Sequence, residues 1–131
     1  MKGISLFSSA GIAETYLNDC GIEIICACEL LPKRAELHKW LYPKCKMICG
    51  DITNTEIYSK VKQEAIEKQC KFLLATPPCQ GMSSLGKKDY DNDKRNYLVF
   101  YAIDMIDDCD FDYVLIENVP KFLHLYFPFN N

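Results

Sequence analysis

The apolar run Phe72-Leu73-Leu74-Ala75 stops at Thr76-Pro77-Pro78-Cys79-Gln80-Gly81, and no other segment limits the possible folds so strongly. A run that is short and apolar at every position reads as a strand buried on both faces, as in a parallel sheet. Two successive prolines end it, because each ring locks φ and removes a backbone donor. Cys79 is thereby held at the carboxyl end of a strand, where open α/β sheets bind ligands. A second apolar run, Tyr113-Val114-Leu115-Ile116, ends in Glu117-Asn118-Val119-Pro120. The two strand ends suggest a nucleophile and a proton donor facing one pocket.

The rest of the chain alternates in the same way. Gly3–Phe7, Glu23–Cys28 and Lys46–Ile48 read as strands, the second ending at Glu29. Between them fall expected helices over Gly11–Asn18 and from Pro32 to about Trp40, the second opened by proline and with Leu37 and Trp40 on its apolar face. Thr53-x-x-Glu56 reads as a capping box for a helix reaching about Lys68, with Ile57, Val61, Ala65 and Ile66 at helical spacing. Residues Gly81–Asn96 are polar and aperiodic, a long loop of the kind that often serves as a lid. Helical spacing returns over Leu98–Ile106. Strand-helix alternation predicts an α/β fold with a doubly wound, mostly parallel sheet.

Composition sets outer limits. With 131 residues the chain makes one domain at most. No apolar stretch approaches the roughly 18 residues of a membrane span, and the amino terminus lacks a signal-peptide pattern, so a cytoplasmic protein without a membrane partner is expected. The eight cysteines contain no Cys-x-x-Cys pair, and only two histidines accompany them. Most therefore read as small buried hydrophobes rather than metal ligands, and no metal site is expected. A net charge of −3 shows no basic footprint for nucleic acid; positive charge gathers only at Lys87, Lys88, Lys94 and Arg95.

The segment Phe7-Ser8-Ser9-Ala10-Gly11-Ile12 can offer backbone N–H groups to a nucleotide-like ligand. Glu29 follows about 20 residues on, where an acidic side chain can accept from both ribose hydroxyls. Asp51, after the third strand, could accept from an exocyclic adenine amine. Exposed turns and helix caps account equally well for Glu29 and Asp51 taken singly.

In combination, Phe7–Gly11, Glu29, Asp51, Pro77-Pro78-Cys79-Gln80-Gly81-Met82-Ser83, Asp93-x-Arg95-Asn96-x-Leu98 and Glu117-Asn118-Val119 resemble the cytosine-5 DNA methyltransferase family over nearly the whole chain. The resemblance implies a Rossmann-like S-adenosylmethionine-dependent methyltransferase fold and S-adenosyl-L-methionine as cofactor. It implies that Cys79 adds to C6 of a flipped-out cytosine in double-stranded DNA and that Glu117 protonates or hydrogen-bonds N3. Phe7, Ser9, Ala10, Gly11, Glu29, Leu30, Asp51, Ile52, Pro77 and Leu98 would line the cofactor site. Gln80, Ser83, Lys87, Lys88 and Arg95 would meet DNA.

The pattern departs from the family in two ways. Ser9 and Ile12 stand where the family's first loop has glycines, and a positive φ at Ser9 would cost on the order of 1 kcal/mol. The family's Gln-x-Arg-x-Arg motif, target-recognition domain and final cofactor segment are not in this sequence. Residues 1–131 thus read as a partial catalytic domain, truncated after about the fifth strand, with that strand as an unprotected edge. The expectation is an enzyme inactive alone, cut short or completed by a second chain that carries the missing motifs. Its role could be restriction-associated or epigenetic. Two rival readings are a non-catalytic module of the same fold that pairs with another chain, and a nicotinamide-dinucleotide domain; the latter leaves Pro-Pro-Cys-Gln unexplained.

Overall fold

A computed structural model describes residues 1–78 and 94–124. Five strands form one sheet: β1 (Lys2–Leu6), β2 (Glu23–Glu29), β3 (Lys46–Cys49), β4 (Phe72–Ala75) and β5 (Tyr113–Ile116). Every pairing is parallel and the order is β3-β2-β1-β4-β5. Helices α1 (Pro32–Leu41), α2 (Thr55–Glu67) and α3 (Val99–Asp108) connect the strands. The α/β, parallel, doubly wound class expected from strand-helix alternation is the one observed.

Burial follows strand alternation. Ile4, Leu6, Cys26, Cys28, Leu73 and Ala75 form one core layer with Val61 and Ala65 of α2 and Ala102 and Met105 of α3. Side chains alternating with them (Ser5, Ala27, Phe72 and Leu74) point the other way and are buried too. All four β4 residues are buried, which explains why the strand has no polar position. Full burial of a Leu or Ile side chain such as Leu73 contributes about 1.5–3 kcal/mol. β5 differs: among the described residues it pairs only with β4, and Tyr113, Val114 and Leu115 are exposed, as expected of an edge strand.

Cys26, Cys28, Cys45 and Cys70 are buried, whereas Cys20 and Cys49 are exposed. Burial pushes the Cys28 and Cys45 thiols up to about 12 and Cys70 to about 11. These groups stay protonated and pack as hydrophobes. No helix among the described residues is long and apolar enough to cross a membrane.

Three local expectations need correction. Gly11–Asn18 is not an α-helix; it holds short 3-10 turns at Ile12–Glu14 and Asn18–Cys20. Left-handed backbone at Gly11 (φ 82°) and Gly21 (φ 76°) brackets the segment and breaks the right-handed path at both ends. Leu37 and Trp40 do not face the core: they are 46% and 78% exposed, and α1 buries Ala35 and His38 instead. The cap of α2 is Asn54 rather than Thr53, its Oδ1 accepting from Glu56 N–H at 2.9 Å and Ile57 N–H at 3.4 Å. Of the expected Gly81–Asn96 loop, residues 81–93 lie outside the described residues, and the remainder enters a 3-10 segment at Lys94–Leu98.

Candidate active site

Winding reverses between β1 and β4, since β1 leads to β2 on one side while β4 and β5 lie on the other. Such a switch point opens a crevice at the carboxyl ends of the strands. A cleft of about 500 Å³ occupies it. Phe7 and Ser9 reach it from the turn after β1, and Glu29 and Leu30 from the end of β2. Asp51 and Ile52 reach it after β3, Pro77 and Pro78 after β4. Glu117 comes from the end of β5, and Arg95 and Leu98 from the segment before α3. Residues scattered over the sequence thus meet in one place. Ala10 and Gly11 are not in this wall, and Cys79, Gln80, Ser83, Lys87 and Lys88 lie outside the described residues.

Glu29 organises the cleft. The residue is 6% exposed. Oε2 accepts Ser9 N–H at 2.8 Å and Oε1 accepts Leu31 N–H at 2.8 Å, so a buried charge is held by two backbone donors. Each oxygen keeps acceptor capacity beyond these bonds. Asp51, by contrast, is exposed and forms an Asx turn in which Oδ1 accepts Thr53 N–H at 2.9 Å. Leu30, Ile52, Pro77 and Leu98 supply apolar surface around these two carboxylates.

The turn after β1 is strained as well as tied. Phe7 (φ 58°) and Ser9 (φ 52°) both sit in the left-handed region. The positive φ anticipated at Ser9 is therefore present, whereas Ile12 needs none and is 80% exposed at the start of a 3-10 turn. Ser8 N–H donates to Cys28 O at 3.0 Å, Gly11 N–H to Ser8 O at 2.9 Å, and the Thr76 hydroxyl to Phe7 O at 2.9 Å. No bond to the Ser9 side chain offsets its strain among the described residues. Ser9→Gly is expected to raise the unfolding free energy by about 1 kcal/mol in urea titration; a loss of stability would contradict this account.

Glu117 is exposed among the described residues. Its N–H donates to Ala75 O at 2.9 Å, and Asn118 Nδ2 donates to Pro77 O at 3.4 Å. These bonds tie the ends of β4 and β5 together. They fix Glu117 beside the Pro77-Pro78 segment that leads into Cys79.

Sequence reasoning missed Thr76, Arg34 and Leu31, which also border the cleft. Thr76 had a signal, a hydroxyl at a strand end directly before the prolines. Behind the cleft it also missed a buried pair: Glu14 Oε2 and His38 Nε2 lie 2.9 Å apart, at 2% and 0% side-chain exposure. Nothing local marks that pair, whose members are 24 positions apart.

A model of the C-5 cytosine-specific DNA methylase family matches residues 1–127. The chain belongs to that family. Among curated methyltransferases it is 50% identical to Type II methyltransferase M1.HgaI of Avibacterium volantium, covering 95% of this chain and 36% of that protein. It is 28% identical to the tRNA (cytosine(38)-C(5))-methyltransferase of Spodoptera frugiperda, over 92% of the chain and 36% of the relative. A crystal structure of a mutant Spodoptera frugiperda DNMT2 superposes with a TM-score of 0.70 at 26% identity, covering 95% of this chain and 37% of the other. A putative DNA modification methyltransferase from an E. coli prophage shares the fold, with a TM-score of 0.72 at 23% identity, covering 94% of this chain and 33% of the other. The chain spans about a third of the length of M1.HgaI and of the tRNA methyltransferase.

Proposed function

We propose that this chain carries the cofactor-binding and nucleophile-bearing part of a DNA (cytosine-5)-methyltransferase that uses S-adenosyl-L-methionine. The observation that carries the reading is Glu29, a buried carboxylate aimed by Ser9 and Leu31 N–H groups into a cleft that Pro77, Pro78 and Glu117 also border. A cleft of about 500 Å³ suits a nucleoside-sized ligand. Glu29 has acceptor capacity for two ribose hydroxyls, Asp51 a second carboxylate oxygen for an exocyclic amine, and Leu30, Ile52, Pro77 and Leu98 the apolar contacts a purine needs. When bound, the cofactor supplies an electrophilic methyl group.

The protein's own residues would prepare the base. Cys79, as thiolate, adds to C6 of a flipped cytosine, and Glu117 holds a proton at N3 so that the ring accepts the electron pair. C5 then becomes nucleophilic enough to take the methyl group. Loss of the C5 proton and departure of Cys79 restore the ring. Gln80, Ser83, Lys87, Lys88 and Arg95 would contact the DNA. The match of residues 1–127 to a C-5 cytosine-specific DNA methylase family model favours DNA over tRNA. Full turnover on this reading requires the sequence that makes up the rest of such relatives, within one polypeptide or on a second one.

The test combines this chain with a carboxyl-terminal partner, S-adenosyl-L-methionine and DNA containing 5-fluorocytosine, from whose C5 no proton can leave once the methyl group has been added. A covalent protein–DNA adduct that forms with the wild type and disappears in Cys79→Ala is the expected result. An adduct that survives Cys79→Ala rejects the assigned nucleophile. Equilibrium binding of NAD in preference to S-adenosyl-L-methionine would reject the cofactor.

A further inference from the structure

Gly11 is outside the cleft wall, yet its surroundings are the most tightly specified of the turn. Gly11 O accepts two donors, Glu14 N–H at 3.1 Å and the Tyr42 hydroxyl at 2.8 Å. A Cβ at position 11 would stand 2.3 Å from Tyr42 Cε2. The Tyr42 ring packs on His38, centroids 4.9 Å apart, and His38 meets Glu14 across the buried pair. Tyr42 is the residue at the end of α1, the helix whose other end begins beside Leu31, a donor to Glu29. One helix therefore grips the strained Phe7–Gly11 turn from behind and the Glu29 carboxylate from the front.

We propose that Tyr42 is a positioning residue: its hydroxyl, braced by the His38–Glu14 pair, sets the path of the Phe7–Gly11 turn and thereby the affinity of the cleft for its nucleoside ligand. The affinity part rests on the cofactor reading above; the positioning part does not. The left-handed Phe7 and Ser9 conformations persist only where the surroundings over-determine them. Among the described residues, side chains tie the turn at three points: Thr76 at Phe7 O, Glu29 at Ser9 N–H and Tyr42 at Gly11 O, the last holding its far end.

Tyr42→Phe removes the hydroxyl alone. The ring still fills the space against Gly11, and Gly11 O keeps the Glu14 N–H, so the fold survives. The comparison variant is Val61→Ala, which opens a gap in the core layer under α2, away from the turn. Two quantities are measured where all three proteins are fully folded: the Kd for S-adenosyl-L-methionine and amide hydrogen exchange in the free protein. Tyr42→Phe is expected to weaken binding about fivefold and to speed exchange at Ser9 and Gly11 by a similar factor, with α2 amides unchanged. Val61→Ala should lower the thermal midpoint while leaving Kd and turn exchange within about twofold of wild type. Turn exchange in Tyr42→Phe that matches wild type overturns the positioning role; unchanged Kd with faster exchange overturns its link to affinity. If the wild type binds no S-adenosyl-L-methionine, the cofactor reading fails, and exchange still decides the positioning role.

Discussion

Replacing Glu14 with alanine is expected to lower the unfolding free energy by about 3–5 kcal/mol, because it leaves a fully buried imidazole N–H without its acceptor and a cavity where the side chain stood. His38 is 0% exposed, and Glu14 Oε2 is the partner shown for its Nε2. The substitution also removes side-chain volume from a site where the remaining neighbours, Tyr42 and Gly11, are fixed by their own bond. For a domain with a typical total of 5–15 kcal/mol this is a large fraction, visible as a midpoint drop of more than about 10 °C. Glu14→Gln separates charge from bonding, since the carboxamide oxygen can still accept from His38 Nε2–H. It should cost much less, about 1 kcal/mol. Equal stability of wild type and Glu14→Ala in urea titration would show that the pair contributes nothing.

Glu29→Gln is expected to do the largest damage to ligand binding for the smallest change in shape. Both carboxylate oxygens accept backbone N–H groups, from Ser9 and Leu31. A carboxamide presents one oxygen and one NH2, so one of the two backbone donors must face another donor whichever way the amide lies. Losing a charge-assisted bond at a buried site costs about 1.5–3 kcal/mol of stability. On the proposed reading the ribose hydroxyls lose their acceptor as well, and affinity for S-adenosyl-L-methionine falls by more than about a hundredfold by calorimetry. Binding within threefold of wild type would remove Glu29 from the cofactor site.

Strands were the most legible part of the sequence. Phe72–Ala75 and Tyr113–Ile116 read correctly to the residue because proline and polar residues mark their ends sharply. The convergence of Glu29, Asp51, Pro77 and Glu117 was legible too, since parallel alternation puts every strand's carboxyl end on one side of the sheet. What failed depended on neighbours distant in sequence. Apolar spacing marked Leu37 and Trp40 as the inner face of α1, but the space behind that helix is filled by Glu14 and the Tyr42 ring, so polar His38 turns inward. Gly11–Asn18 had the length of a short helix, yet Glu14 must point at His38 and Gly11 must adopt φ 82°, and 3-10 turns satisfy both. At Asp51–Asn54 two adjacent side chains could start α2; the Asx turn at Asp51 uses Thr53 as donor and hands the cap to Asn54.

The place of β1 at the centre of the sheet has a consequence for how the cleft comes into being. β1 pairs with β2, a near neighbour in the chain, but the Phe7–Thr76 bond across its other edge joins residues 69 positions apart. Closing so long a loop carries an entropic penalty that local pairing does not, so the β1–β4 seam is the last of these contacts to become favourable. The cleft lies on that seam. A molecule lodged there touches both wings and weights the closed arrangement by mass action, adding about 2.7 kcal/mol at a hundredfold excess over its Kd. Occupancy of the cleft and completion of the sheet are then two views of a single equilibrium.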